Sequence, residues 1–85
     1  MKTIEYIVKD ELGLHARPAG LLVKKVGAFQ SKVTIGKEGQ KADAKRLFAV
    51  MGLAVKQNDT IVIEVEGADE EQAAAEIQAF CEQNF

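Results

Sequence analysis

Apolar and polar residues alternate from Lys2 to Lys9. Ile4, Tyr6 and Val8 fall on one side, Thr3 and Glu5 on the other, which is the pattern of a strand with one face buried. Asp10-Glu11-Leu12-Gly13 breaks that run. From Ala16 to about Ala28 the spacing turns helical, with Ala19, Leu22, Val23 and Val26 on one face and Arg17, Gly20, Lys24 and Gly27 on another. Lys32 to Lys37 reads as a second strand with Val33 and Ile35 inward, and Glu38-Gly39 as a hairpin turn into a short strand from Gln40 to Ala44. Lys45 to about Leu53 predicts a short helix whose apolar residues nearly encircle it. After a turn at Gln57-Asn58-Asp59, Thr60 to Glu66 alternates again, with Ile61, Ile63 and Val65 on one face. Asp69 is placed to cap a last helix running to about Asn84, with Gln72 as its capping-box partner and Ala73, Ile77, Phe80 and Cys81 on the buried stripe.

The order β-α-β-β-α-β-α, with one-sided strands, predicts an antiparallel four-stranded sheet whose apolar face is covered by helices. This is an α+β domain in two layers. Eighty-five residues, nearly half of them hydrophobic, suffice for a single domain with one modest core.

Composition narrows the chemistry. One cysteine excludes an internal disulfide, and a single histidine beside it gives no metal-ligand spacing. No apolar run approaches the roughly 20 residues that span a bilayer, and the charged N-terminal stretch does not read as a signal peptide. A reducing, cytoplasmic setting and no membrane insertion are expected. The net charge of −2 hides an asymmetry. Residues 1–56 hold all eleven Lys and Arg against five acids, whereas residues 57–85 hold eight acids and no base. The fold can therefore present a positive face beside an acidic one. One tyrosine, no tryptophan and no basic run speak against nucleic acid.

The only histidine and only proline stand three residues apart in Gly13-Leu14-His15-Ala16-Arg17-Pro18-Ala19-Gly20. Pro18 suits the first turn of a helix, where its missing N–H costs nothing. That places His15 at or just before the N-cap. The free N–H groups of Ala16 and Arg17 lie near its ring and form, with the Arg17 guanidinium, a site for an anion. Gly13 permits the tight approach. A histidine is a competent nucleophile near neutral pH, and an anion site beside it suits a phosphoryl group. Asp10 and Glu11 are near in sequence, but no acid–base partner for His15 is evident, which argues for a carrier of the group over a hydrolase. The residues alone leave a second reading open, in which His15 only caps the helix. Leu47 and Phe48 are likewise open between core and exposed surface, since Val50 and Leu53 can fill the buried side.

The segment GLHARPA resembles the active-site signature of the HPr family, the histidine-containing phosphocarriers of the bacterial phosphoenolpyruvate-dependent sugar phosphotransferase system. The likeness extends to Lys45-Arg46-Leu47-Phe48-Ala49-Val50-Met51-Gly52-Leu53 and to GADEEQA before the last helix. It implies an open-faced β-sandwich in which three helices cover one face of the sheet. It implies that His15 takes a phosphoryl group on Nδ1 from phospho-enzyme I and passes it to a histidine of a sugar-specific IIA domain, with Arg17 neutralising the phosphate. Gly20, Leu21, Lys24, Leu47, Phe48 and Met51 would form the docking surface, with Lys45 and Arg46 steering acidic partners. On this reading the chain is a phosphohistidine intermediate rather than a stand-alone catalyst, needs no cofactor or metal, and shuttles as a monomer.

Two positions depart from the pattern. Arg46 stands where many low-GC Gram-positive relatives carry a kinase-regulated serine, so no such regulation is expected here. Leu12 replaces a small polar residue that several members of the sugar branch place before the glycine. The alternative it leaves is a nitrogen-type or paralogous regulatory carrier with the same histidine chemistry.

Overall fold

The computed structural model describes residues 1–85 and has the predicted element order. The strands are β1 (Lys2–Ile7), β2 (Lys32–Lys37), β3 (Gln40–Asp43) and β4 (Thr60–Glu66); the helices are α1 (Ala16–Gly27), α2 (Leu47–Met51) and α3 (Glu70–Asn84). One antiparallel sheet runs in the order β1-β4-β2-β3.

Register follows from burial. Ile4 pairs with Ile63, Tyr6 with Ile61, Val33 with Val65 and Ile35 with Ile63, so the apolar side chains of three strands meet on one face. A slip of one residue would expose all of them. The helices supply seven residues of a nineteen-residue core, Ala19, Leu22 and Val26 of α1, Val50 of α2, and Ala73, Ile77 and Cys81 of α3. Each fully buried aliphatic side chain contributes about 1.5–3 kcal/mol of transfer free energy. The other face of the sheet is open and polar, with Thr3, Glu5, Lys32, Lys41 and Glu64, and a Lys41–Glu64 ion pair at 2.9 Å. The β2–β3 hairpin turns on Glu38 and Gly39, both at positive φ (51° and 82°), the pair of conformations a two-residue turn needs to match strand twist.

Several local expectations are corrected. β1 ends at Ile7, and Val8 leaves the sheet ladder to exchange main-chain hydrogen bonds with Asp59 and Asn58. Ala44 lies beyond β3. The second helix is only five residues long, from Leu47 rather than Lys45, because Asp43 Oδ1 accepts from the Lys45 N–H and holds Lys45 in a turn ahead of it. Val23 and Phe80 are half-buried against the core.

The expected capping box is absent. Asp69 precedes α3, but its carboxylate accepts from the main-chain N–H groups of Gln30 and Ser31 and from the Ser31 hydroxyl. Gln72 donates to Glu76. A carboxylate that can satisfy three donors across the fold does not spend itself on its own helix.

Candidate functional site

His15 is the N-cap of α1. Its carbonyl accepts the first helical bond from Ala19, while its ring makes no capping hydrogen bond. The side chain is about one third exposed. Pro18 has no N–H, so the unpaired donors at the helix start are those of Ala16 and Arg17.

The segment that delivers His15 is held at several points. Leu14 is buried and donates its N–H to Val55 O, which turns the next side chain outward. Gly13 lies at φ 66°, and a Cβ there would sit 2.3 Å from Val55 O, so only glycine fits. The Gly13 N–H donates to Asp10 O, and the Leu12 N–H to Asp10 Oδ1, each at 2.9 Å. Lys9 and Asp10 donate their N–H groups to Phe85 O, so the end of α3 braces the loop.

The sequence showed no evident acid–base partner for His15, but the fold turns Asp10 toward it: Asp10 Oδ2 lies 3.7 Å from His15 Nε2, so the want of a nearby acid no longer argues for a carrier over a hydrolase. The two residues line a shallow hollow of about 300 Å³ with Arg17, Pro18, Leu21, Gln83 and Asn84. Gln83 and Asn84 were missed in the sequence, where Asp10 was noted as near but without a direction. Asp10 had only its proximity to the motif as a signal, and the other two lie nearly seventy residues away.

Arg17 is exposed and forms no ion pair with any carboxylate, which leaves its guanidinium available to an anion. Leu21, 42% exposed, lines the hollow with Arg17, and α2, which packs on α1, leaves Phe48 85% and Met51 37% exposed. Leu12, at 73%, adds an exposed apolar group that the sequence marked only as a departure. Leu47 is half-buried and packs on the core, while Gly20 is half-exposed and Lys24 and Arg46 are exposed. Lys45 sits elsewhere than around the histidine: its Nζ donates to Phe29 O, just past the end of α1 opposite His15. The cations Arg17, Lys24 and Lys45 therefore mark α1 from its start to its end.

A family model described as "PTS HPr component phosphorylation site" matches residues 2–83. The phosphocarrier protein HPr of Mycoplasma genitalium is 38% identical over 85 residues, covering 99% of this chain and 97% of that protein. The phosphocarrier protein HPr of Lysinibacillus sphaericus is 47% identical over 73 residues, covering 86% and 83%. Among solved structures, HPr-C-His from Thermoanaerobacter tengcongensis superposes with a TM-score of 0.94 at 35% identity, covering 100% of this chain and 96% of that one.

Proposed function

The chain belongs to the HPr phosphocarrier family of the phosphotransferase system, and from that membership we propose that His15 is the residue that carries the phosphoryl group. The group arrives from phospho-enzyme I and leaves to a histidine of a IIA domain. The observation that carries the reading is His15 as N-cap of α1, with the Ala16 and Arg17 N–H groups unpaired and the Arg17 guanidinium unclaimed.

The Nδ1 lone pair attacks phosphorus while the bond to the donor nitrogen breaks and its electron pair returns to the donor ring. Positioning and electrostatics supply most of the acceleration in such transfers. Two helix N–H groups and Arg17 meet the charge on the equatorial oxygens without a metal. Phe48, Leu21, Met51 and Gly20 offer the apolar centre of a small interface, with Lys24 and Arg46 at its rim. A transient contact of this kind suits a monomeric carrier working in the cytoplasm.

Incubation with phosphoenolpyruvate and a catalytic amount of enzyme I from a phosphotransferase system tests this. The intact mass should rise by one phosphoryl group, in an acid-labile form that His15→Ala lacks. No gain, or a gain that survives His15→Ala, overturns the assignment.

A further inference from the structure

Three of the four hydrogen-bonding positions of Asp10 are committed. Its N–H donates to Phe85 O, its carbonyl accepts from the Gly13 N–H, and its Oδ1 accepts from the Leu12 N–H, each at 2.9 Å. Only Oδ2 is unspent, and it faces His15 Nε2 at 3.7 Å. That is an ion-pair separation, longer than a hydrogen bond. Asp10 forms no ion pair with a lysine or arginine. With the main chain of Asp10 held at two points and its carboxylate pinned through Oδ1, the remaining oxygen favours a proton on the ring nitrogen it faces.

We infer that Asp10 is a positioning residue for His15, holding the proton on Nε2 and thereby leaving Nδ1 as the nucleophilic lone pair. The inference deepens the proposed function and rests on it for its consequence, though not for its geometry. The other ring nitrogen sets the tautomer of a neutral imidazole by its own partner. After attack, Nδ1 carries phosphorus and Nε2 still carries hydrogen, so the ring bears a positive charge. Asp10 offsets that charge on one side while Arg17 meets the phosphoryl oxygens on the other. Onward transfer breaks the N–P bond and returns its pair to Nδ1. With Nε2 protonated the leaving group is neutral imidazole rather than imidazolate. Asp10 never touches the phosphoryl group in this scheme and acts only through the ring.

The decisive variant is Asp10→Asn. Its amide oxygen can keep the Leu12 N–H, which turns the amide nitrogen, a donor, toward Nε2. The variant therefore favours the tautomer with hydrogen on Nδ1. Because His15 is the only histidine, 15N NMR of the labelled, unphosphorylated protein above pH 8 reads its tautomer without overlap. The wild type should hold hydrogen on Nε2. Asp10→Asn should shift the ratio toward Nδ1 by about fivefold, the factor that about 1 kcal/mol of polar interaction with the ring N–H is worth. Its phosphorylation by enzyme I should slow by a similar factor. Asp10→Ala, which presents neither donor nor acceptor, should fall between the two.

A wild-type ring with hydrogen on Nδ1 overturns the inference whether or not any variant folds. So does an unchanged tautomer ratio in a folded Asp10→Asn. The tautomer measurement needs no phosphoryl donor. A wild type that is never phosphorylated therefore defeats the proposed function, while unchanged tautomers defeat only the role of Asp10.

Discussion

The carboxylate of Asp69 accepts from both the main-chain N–H and the hydroxyl of Ser31, thirty-eight residues earlier in the chain. The same carboxylate takes the Gln30 N–H through its other oxygen. The segment leading into β2 is thus tied to the approach to α3, and Ser31 is buried beneath the tie. Gly67 passes so close that a Cβ there would lie 2.7 Å from Ser31 Cα. Asp69→Ala should lower the melting temperature by several degrees, because buried Ser31 loses its hydroxyl's partner and two N–H groups lose their acceptor. Asp69→Asn should lose less. Thermal denaturation by circular dichroism at pH 7 measures both.

Acid should destabilise the fold through a small set of carboxylates. Hydrogen bonds from Ser31 to Asp69, from Lys37 to Asp59 and from Lys25 to Glu76 hold these groups below their ordinary values of 3.8, 3.8 and 4.5. In the unfolded chain they protonate at the ordinary values, and in the folded chain only at lower pH. Their contribution is therefore complete above about pH 5 and drains away as pH falls through the folded values. Urea midpoints between pH 7 and pH 2 should show this decline, and Asp69→Asn should flatten part of it.

Two glycines should respond in opposite directions. Gly13→Ala drives a methyl into Val55 O at a positive φ, which should cost at least about 1 kcal/mol and displace His15, slowing phosphoryl acceptance. Gly20 has nothing within 4 Å of its missing Cβ and lies inside α1. Gly20→Ala should add about 0.5–1 kcal/mol of stability. Chemical denaturation distinguishes the pair, and phosphorylation rates give the second readout.

Exposure separates the proposed docking residues from the core. Phe48→Ala should change stability by no more than about 0.5 kcal/mol while weakening binding to enzyme I. Leu22→Ala, at a fully buried position, should cost about 2–5 kcal/mol. Arg17→Ala should leave the fold intact and slow transfer. Calorimetric binding measured beside denaturant midpoints checks each, and a Phe48→Ala that unfolds the protein would place that ring in the core.

Cys81 should report unfolding. Burial pushes its thiol up to about 12 from an ordinary 9.0, leaving almost no thiolate at neutral pH. Alkylation by iodoacetamide at pH 8 should be slow in the native protein and fast in denaturant. The same shift favours the folded state fully below pH 9, and that advantage is lost as pH rises toward 12, because the unfolded thiol releases its proton first.

What could be read along the chain was local and periodic. The alternation at Lys2–Ile7 and Thr60–Glu66, the helical phase of Ala19, Leu22 and Val26, and the His15-Arg17-Pro18 helix start each declare themselves within a few residues. Backbone geometry repeats every two or 3.6 positions, and burial imprints that repeat on the sequence. The candidate site was legible as far as the histidine, its helix and its arginine. What only the tertiary structure decided was where unspent polar groups went. Asp69 satisfied Ser31 instead of its own helix, Asp43 held Lys45 in a turn and shortened α2, and Asp10 came to face His15 Nε2. Lys45 settled at the far end of α1. A carboxylate or an ammonium takes the best donors or acceptors that folding brings within about 3 Å, and no spacing along the chain encodes which those are.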